Sequence, residues 1–523
     1  MLRKVRTKEG WLEGTACGDP RITVYKGVPY AQPPVGELRW RLPQPLEAWD
    51  GIRKADRFPP IGWQDQPGTD PEDFWTKELN PCADQCVLSE DCLYLNIWTP
   101  ARSADERLPV FLWIHGGGLE SGYAWEMEFD GERMARQGMI FVTIGYRLNV
   151  FGLMCHKDLA EEGNEGGGNF CFHDMIAGLR WIHENIAAFG GNPERVTVGG
   201  QSGGALAVLA MITSPLTRHL VSGAIAQSGG GLRAFGYGPT TADQASAWEK
   251  GSLFLESLGC RTVEEARTLD PETVYRAFRA FTRKHGRMEP VVDRIVFQED
   301  INDAMMRDHH HRIPVLFGSN TGEGPGTPAA PPAPASPEAF RKQMHQVFDD
   351  HTDEFLSMCG ARSMEDITEL MKREAFNIRT VAVRAYARVQ ARQGRKGYFY
   401  LFDAPVPGED GAGPFHGSEM WYVFNSLNRC WRPFTGRDYD LSFMLSGYWA
   451  NFVKTGNPNG RDALGRPLPE WGAYTERDPF YLKITDLPRR ECGEPDPLTE
   501  YRIAYHLQSW ADGKSYRSFN PFD

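Results

Sequence analysis

The sequence predicts an α/β protein in which a mostly parallel central sheet is covered by helices on both faces. Short apolar runs alternate with segments of helical periodicity along the 523-residue chain. The runs are apolar at nearly every position, which is typical of strands that are buried on both faces of a sheet. Glycine-rich turns end two of these runs. This alternation indicates parallel strands that are connected through helices.

Six strands and two helices can be assigned in chain order. The strands are predicted at 109–114, 139–148, 195–200, 222–229, 313–320 and 396–403. A helix is predicted over 174–191, where apolar residues recur at helical spacing and a glycine pair ends the segment. The segment 206–215 is apolar on all sides and ends at Pro215, so we predict a buried helix there.

The domain organisation predicted for residues 1–523 is a single domain, since large α/β proteins often keep one core. A Pro/Ala-rich segment, residues 324–337, directly follows a predicted strand. This segment can be neither helix nor central strand, and it is either a surface linker or a semi-rigid loop near the functional site. Residues 338–395 are predicted to be helices that pack as a cap beside the sheet.

Composition and charge argue against several classes of partner. Lysine and arginine total 57 and aspartate and glutamate total 69, which gives a net charge of −12. No basic stripe is present, so we expect neither nucleic acid nor anionic membrane as a partner. No apolar run approaches the ~18 residues that a membrane-spanning helix needs, and the first residues contain no apolar signal segment. We therefore expect a cytoplasmic protein, and the sequence does not indicate its oligomeric state.

The ten cysteines are scattered along the chain. Only Cys82, Cys86 and Cys92 cluster, and no second cysteine pair accompanies them as a zinc site would require. We predict reduced thiols and no bound metal. A local disulfide from Cys82 or Cys86 to Cys92 is the alternative.

The segment GGQSGGA, residues 199–205, contains the candidate nucleophile. It fits the pattern G-x-S-x-G, with a predicted strand before it and a predicted helix after it. Glycines on both sides let the strand turn abruptly into the helix, which leaves the Ser202 hydroxyl exposed at the turn. The N-terminus of the helix also favours negative charge that develops nearby. Ser228, in AQSGG, lacks the first glycine and is followed by GLRAFGYG rather than by a helix, so the predicted nucleophile is Ser202.

A serine nucleophile needs a base, and the base needs an acid that orients it. The chain order serine, acid, histidine, with each group in a loop after a strand, places the acid at Glu323 and the base at His416. The alternative interpretation is that Glu323 and His416 are ordinary residues of exposed loops with no catalytic role. His309, His310 and His311 precede a strand, and ligands bind beyond the carboxyl ends of parallel strands, so these three would lie at the wrong edge of the sheet.

The loop HGGG, residues 115–118, is a candidate for binding an oxyanion. It follows a predicted apolar strand and presents backbone N–H groups with no side chain in the way. Gly203, directly after Ser202, adds another N–H donor. A plain turn is the alternative, but three glycines after a buried strand, with G-x-S-x-G downstream, favour an oxyanion site.

Seven motifs resemble those of the type B carboxylesterases, the family that includes cholinesterases and bacterial para-nitrobenzyl esterases. They extend over nearly the whole chain: YKGVPYAQPPVGELRW, SEDCLYLNIWTP, WIHGGGLESG, FGGNPERVTVGGQSGGA, IPVLFGSNTGEG, FHGSE and NFVKTGNPN. The resemblance implies an α/β-hydrolase fold and no cofactor. It implies an acyl nucleophile, an orienting acid and a base at Ser202, Glu323 and His416. It also implies oxyanion donors at the backbone N–H groups of Gly117, Gly118 and Gly203.

The sequence departs from the family pattern at four positions beside these motifs. Many relatives have Glu before the serine and Ala after it, where this chain has Gln201 and Gly203. An aromatic residue often follows HGGG, where this chain has Leu119. The usual Asp before the acid is replaced by Gly322. These differences concern substrate preference rather than the type of reaction.

The resemblance implies hydrolysis of carboxylic esters through an acyl-serine intermediate. Leu119, Phe415 and Trp421 lie close in sequence to the site motifs and are predicted to line a mostly apolar substrate pocket. Because Gln201 is neutral, we expect uncharged esters with small to medium acyl groups as the small-molecule substrates. An amidase or a carbamate hydrolase would use the same triad. A non-catalytic, adhesion-type relative would usually lack the serine, which this chain keeps.

Overall fold

The computed structural model describes residues 1–70, 72–79, 86–163, 166–229, 241–324, 334–492 and 496–513. Most of the Pro/Ala-rich segment (325–333), the segment after Ser228 that begins at residue 230, and Cys82 lie outside the described residues. Within the described ranges, no helix is both long and apolar enough to cross a membrane.

Fourteen strands occur in the described residues. They are β1 (Lys4–Arg6), β2 (Trp11–Glu13), β3 (Thr15–Ala16), β4 (Thr23–Pro29), β5 (Ile52–Lys54), β6 (Tyr94–Thr99), β7 (Leu108–Ile114), β8 (Ile140–Ile144), β9 (Gly191–Gln201), β10 (Gly223–Gln227), β11 (Val315–Asn320), β12 (Gly397–Phe402), β13 (Phe480–Ile484) and β14 (Pro488–Cys492).

Seventeen α-helices occur in the same residues. They are α1 (Phe74–Leu79), α2 (Glu132–Ala135), α3 (Asn149–Leu153), α4 (Lys157–Glu161), α5 (Phe170–Asn185), α6 (Gly203–Thr213), α7 (Gln244–Ser257), α8 (Val263–Arg267), α9 (Pro271–His285), α10 (Ile301–Met306), α11 (Pro337–Phe348), α12 (Thr352–Cys359), α13 (Met364–Leu370), α14 (Ile378–Arg392), α15 (Glu419–Val423), α16 (Gly436–Thr455) and α17 (Pro497–Ala511).

Eleven strands form the central sheet, in the order β14-β13-β12-β11-β10-β9-β7-β8-β6-β4-β3. The neighbouring strands from β8 through β7, β9, β10, β11 and β12 to β13 all pair in parallel. Antiparallel pairs occur only towards the two edges of this sheet. A separate small sheet contains β1, β2 and β5. The predicted α/β class with a mostly parallel sheet is therefore confirmed.

The side chains of β7 show that the sheet is buried on both faces. Successive strand residues point to opposite faces. Val110, Leu112 and Ile114 belong to a core cluster that includes residues of α5, α6 and α14. Phe111 and Trp113 belong to a second cluster, which includes residues of α15 and α16. These two layers explain why the strand sequences are apolar throughout instead of alternating.

The observed strand β8 is shorter than the apolar run that predicted it. The run 139–148 corresponds to β8, which ends at Ile144. Tyr146 and Arg147 follow in a buried turn, where the Arg147 guanidinium forms an ion pair of 2.6 Å with Asp174 on α5. Because Tyr146 and Leu148 in this turn are also buried, apolar residues continue beyond the end of the strand, and the run alone did not mark the boundary.

Residues 338–395 contain α11 to α14, and these helices occupy two different places. The aromatic rings of Phe317 on β11 and Tyr386 on α14 stack with a centroid distance of 4.9 Å, so α14 covers the sheet directly. Phe348 at the end of α11 packs on Phe355 of α12 at 4.1 Å and on Tyr505 of α17 at 5.1 Å. This second group of helices lies against the C-terminal helix.

Candidate active site

Ser202 lies at the sharp turn between β9 and α6. Its backbone has φ 56° and ψ −121°, in the left-handed region that residues with a side chain rarely adopt. Such a conformation costs on the order of 1–3 kcal/mol and persists only where neighbouring contacts hold it. The Ser202 N–H donates to the Gln227 carbonyl at 2.8 Å, and its carbonyl accepts from Leu206 N–H at 3.1 Å. The parallel strand β10 and the first turn of α6 therefore hold the serine at the carboxyl edge of the sheet.

The HGGG loop follows β7 and lies against the start of α6. Gly117 and Gly118 have φ values of 92° and 65°, a conformation that glycine adopts without strain. A Cβ atom on Gly203 would lie 2.6 Å from the Gly118 nitrogen, so the nitrogens of Gly118 and Gly203 are close together. Among the described residues, the N–H groups of all three glycines donate to no acceptor. Converging unpaired donors of this kind suit an oxyanion.

Glu323 and His416 form a buried acid–base pair. Glu323 follows β11 and His416 lies in the loop after β12, so both are at the same edge of the sheet as Ser202. The imidazole Nδ1–H donates to Glu323 Oε1 at 3.0 Å. Their exposed fractions are 1% and 8%. This hydrogen bond leaves Nε2 as the nitrogen that can accept a proton.

Two hydrogen bonds join the segments that carry the acid and the base. The Gly322 N–H donates to the Pro414 carbonyl at 3.1 Å, and the Asn320 amide donates to the Phe415 carbonyl at 2.7 Å. A Cβ atom on Gly322 would lie 2.7 Å from the Pro414 oxygen. The glycine at position 322, where the family pattern usually has Asp, therefore permits this close approach.

Gln201 is the other polar partner of the imidazole. Its amide nitrogen lies 3.3 Å from His416 Nε2 and 3.4 Å from Nδ1. Nearly equal distances to both ring nitrogens place the amide over the ring, not in line with one lone pair. In the described part of the chain, the Ser202 hydroxyl is not hydrogen-bonded to His416. Catalytic hydrogen bonds are often long without substrate and tighten when it binds.

Burial lowers the pKa of His416 below its usual value of 6.5. Loss of solvent is the largest cause, and the positive charge of Arg379 acts in the same direction. The hydrogen bond and the charge of Glu323 oppose them by favouring the imidazolium. The base is therefore neutral near pH 7 and able to accept a proton.

A second buried carboxyl group, which the sequence did not suggest, lies beside the acid. The Glu419 carboxylate accepts hydrogen bonds from the Asn320 amide at 2.6 Å and the Gln227 amide at 3.0 Å. Burial, and after it the negative charge of Glu323, raise the pKa of Glu419 to about 7. The FHGSE motif contains this glutamate three residues after His416. That spacing, which is typical of one face of a helix, was the only feature of the sequence that could have pointed to Glu419.

The three predicted pocket residues are buried. Leu119 has its side chain in the larger core cluster, and its carbonyl accepts from Asn149 N–H at 2.7 Å. Phe415 packs edge-on against Phe74 of α1, with a centroid distance of 5.0 Å. Trp421 is 1% exposed within the second core cluster, so the structure does not bring it to the surface of the site.

Trp75 lies beside the site and was not predicted from the sequence. Its ring is 6.5 Å from that of His416 in an edge-to-face arrangement. It also contacts Phe415 at 6.3 Å. Trp75 belongs to α1, which is far from every site motif in the chain, and no local pattern marks it. The aromatic neighbour of the base was therefore visible only in the structure.

The cysteine and histidine clusters have other roles. Among the described residues, no disulfide joins Cys86 to Cys92, and both side chains are buried. His309 contacts Glu299, while His311 contacts the Ser214 carbonyl. The described His, Cys, Asp and Glu side chains form no group that could hold a metal ion.

The fold and the site together define a serine hydrolase of the α/β-hydrolase class. A family model described as the carboxylesterase family matches residues 2–497. Phenmedipham hydrolase of Pseudarthrobacter oxydans is 32% identical over 92% of this chain and 96% of that protein. Fumonisin B1 esterase of Sphingopyxis macrogoltabida is 31% identical over 87% of this chain and 82% of that protein. A solved thermophilic PNB esterase matches with a TM-score of 0.78 and 26% identity, over 97% of this chain and 100% of that one.

The chain belongs to the carboxylesterase family. It is a serine ester hydrolase, as the sequence motifs implied. Carboxylesterase 4A of Bos taurus, 31% identical over 92% of this chain and 91% of that protein, supports the same assignment.

Proposed function

We propose that this enzyme hydrolyses carboxylic esters with Ser202 as nucleophile, His416 as base and Glu323 as orienting acid. The observation that carries the proposal is their placement at one edge of the sheet. A strained serine lies beside unpaired N–H donors, and the buried histidine is hydrogen-bonded to the acid at 3.0 Å. The resulting geometry has each part that acyl transfer requires.

The reaction has two steps. Ser202 Oγ attacks the ester carbonyl carbon while His416 Nε2 takes the hydroxyl proton, and the N–H groups of Gly118 and Gly203 stabilise the oxyanion. The imidazolium then gives its proton to the leaving alcohol, and the acyl-serine remains. Water attacks the acyl carbon by the same route, releases the carboxylic acid and returns the proton to Ser202. Glu323 stabilises the imidazolium in both steps.

We further propose that the alcohol part of the substrate is uncharged. The alcohol leaves on the His416 side, because it takes its proton from that residue. Gln201, whose amide lies 3.3 Å from the imidazole, offers a cation less attraction there than a carboxylate would. The net charge of −12 does not change this preference, because surface charges are screened beyond about 8–10 Å.

A choline ester is expected to be a poorer substrate than its uncharged isostere. The comparison is kcat/KM for the choline and 3,3-dimethylbutyl esters of the same acid, since the two alcohols have nearly the same shape. We expect the uncharged ester to be preferred. A choline ester that is preferred tenfold or more would overturn the substrate proposal and leave the triad untouched.

Carbamate hydrolysis is a second candidate activity, favoured by the likeness to phenmedipham hydrolase. The same attack of Ser202 on a carbamate carbonyl would give a carbamoyl-serine. Turnover of an ester, an anilide and a carbamate with matched groups separates the possibilities. We expect the ester to be hydrolysed fastest, and faster turnover of the carbamate would reverse the assignment.

The pH dependence of kcat/KM should report the lowered pKa of His416. Activity requires the neutral imidazole, so it should rise with pH and reach a plateau, with a midpoint below 6.5. Gln201→Glu places a carboxylate beside the ring, which favours the imidazolium. We expect this variant to move the midpoint upward by about one pH unit or more.

The matched control for this profile is Gln346→Glu. Gln346 is exposed on α11, and the change adds the same charge away from the imidazole. We expect the midpoint of this variant to equal that of the parent. A Gln201→Glu enzyme with lower activity but an unmoved midpoint would show that Gln201 does not influence the titration of the base.

A further inference from the structure

An arginine lies at the edge of the oxyanion loop. The Arg287 Nη1 atom is 3.5 Å from the position that a Cβ atom on Gly118 would occupy. That position is two covalent bonds from the Gly118 nitrogen, so the guanidinium lies no more than about 6 Å from this oxyanion donor. The charge is thus within reach of a substrate whose carbonyl oxygen occupies the oxyanion site.

The hydrogen-bonding capacity of Arg287 is largely unused. Its side chain is 59% exposed, and among the described residues it donates no hydrogen bond. Its one ionic neighbour there is the Glu120 carboxylate, 3.5 Å from Nε. The backbone is nevertheless held, because the Lys250 ammonium donates to the Arg287 carbonyl and the next residue, Met288, is buried. A fixed main chain therefore presents a side chain with free donors.

Glu120 compensates the charge of Arg287 only in part. Glu120 follows the oxyanion loop by two residues, and its Oε1 atom is buried with no hydrogen-bond partner in the described residues. A 3.5 Å approach to Nε is longer than the 2.7–2.9 Å of a charge-assisted hydrogen bond, so this is not the bidentate pair that Arg forms with a well-placed carboxylate. As far as the described residues show, the terminal nitrogens of Arg287 remain available to another anion.

We propose that Arg287 binds a carboxylate on the acyl part of the substrate, so that the enzyme prefers half-esters of short dicarboxylic acids. This inference rests on the proposed ester hydrolysis at Ser202. Arg287 lies beside the oxyanion loop, whereas the alcohol leaves beside His416, so the anion belongs to the acyl part. The expectation of uncharged substrates then applies to the alcohol alone.

The spacing admits acyl chains of four or five carbons. An oxyanion about 2.9 Å from the Gly118 nitrogen and a carboxylate about 2.9 Å from Arg287 leave room for two or three methylene groups between the two carbonyl carbons. Succinyl and glutaryl half-esters have this length. The guanidinium fork matches the geometry of a carboxylate, so a lysine would replace it only in part.

The test compares monophenyl glutarate with phenyl glutaramate, in which a carboxamide replaces the carboxylate. We expect the parent enzyme to prefer the half-ester by about tenfold in kcat/KM, and to lose part of this preference as salt is added. Arg287→Gln should remove the preference for the half-ester. It should change kcat/KM for phenyl glutaramate by less than about threefold. Glu120→Gln should increase the preference, since it removes the competing carboxylate.

The matched control is Arg283→Gln, which removes an equal charge from an exposed position on α9. It should leave the preference unchanged. A parent enzyme that favours the carboxamide, or an Arg287→Gln variant that loses both activities equally, would overturn the assignment of Arg287 while ester hydrolysis stands. An equal preference for a carboxylate on the alcohol part would also overturn it. If the enzyme hydrolyses none of the three esters, monophenyl glutarate, phenyl glutaramate and phenyl valerate, the proposed function itself is refuted.

Discussion

Replacing Ser202 by alanine is expected to lower kcat/KM for esters by roughly 10⁴- to 10⁶-fold, because the acyl-enzyme can no longer form. Labelling by a fluorophosphonate should be lost as well. The hydrogen bonds that hold residue 202 come from its backbone, so the variant should fold as the parent does. The measurements are initial rates on one ester, fluorophosphonate labelling and thermal unfolding.

The matched control for the nucleophile is Ser228→Ala. Ser228 directly follows the neighbouring strand β10 and also has a positive φ, 52°, but its side chain is fully buried. A buried hydroxyl cannot meet an ester, so this variant should keep both labelling and turnover. Labelling that survives in Ser202→Ala and disappears in Ser228→Ala would reverse the two roles.

Replacing His416 by alanine is expected to lower kcat/KM by at least about 10⁴-fold, since Ser202 then has no base and the leaving alcohol has no acid. The acidic limb of the pH profile should also disappear, because the titrating group is gone. The measurement is kcat/KM across pH with the ester used for Ser202→Ala.

The control for the base is His183→Ala, at an exposed position on α5. This variant should keep the rate and the pH profile of the parent. A His416→Ala enzyme within tenfold of the parent would mean that another residue accepts the serine proton.

The sequence predicted the elements that carry the catalytic groups because their constraints are local. A strand that is buried on both faces must be apolar throughout, and a strand that turns sharply into a helix needs glycines around the serine. The serine, acid and histidine each follow such a strand, which placed Ser202, Glu323 and His416 at one edge. The oxyanion loop was predictable for the same reason.

The surroundings of the catalytic groups could not be predicted because they depend on distant parts of the chain. Trp75 reaches the imidazole from α1, and Gln227 reaches Glu419 from β10. Nearness in sequence does not fix the direction of a side chain. Trp421 is five residues from His416, yet its helix turns it into the core. Side-chain direction depends on the packing of α15 and α16, which no motif records.

The close approach of Gly203 to Gly118 limits how this enzyme can be engineered. Many members of the family have alanine at position 203, so a consensus-based redesign would introduce it. The added methyl group would meet the Gly118 nitrogen at 2.6 Å and displace the HGGG loop. The substitution would therefore be tolerated only after the loop had changed. An evolutionary path between this chain and relatives with alanine at position 203 would therefore require the loop to change first and Gly203 to be replaced afterwards.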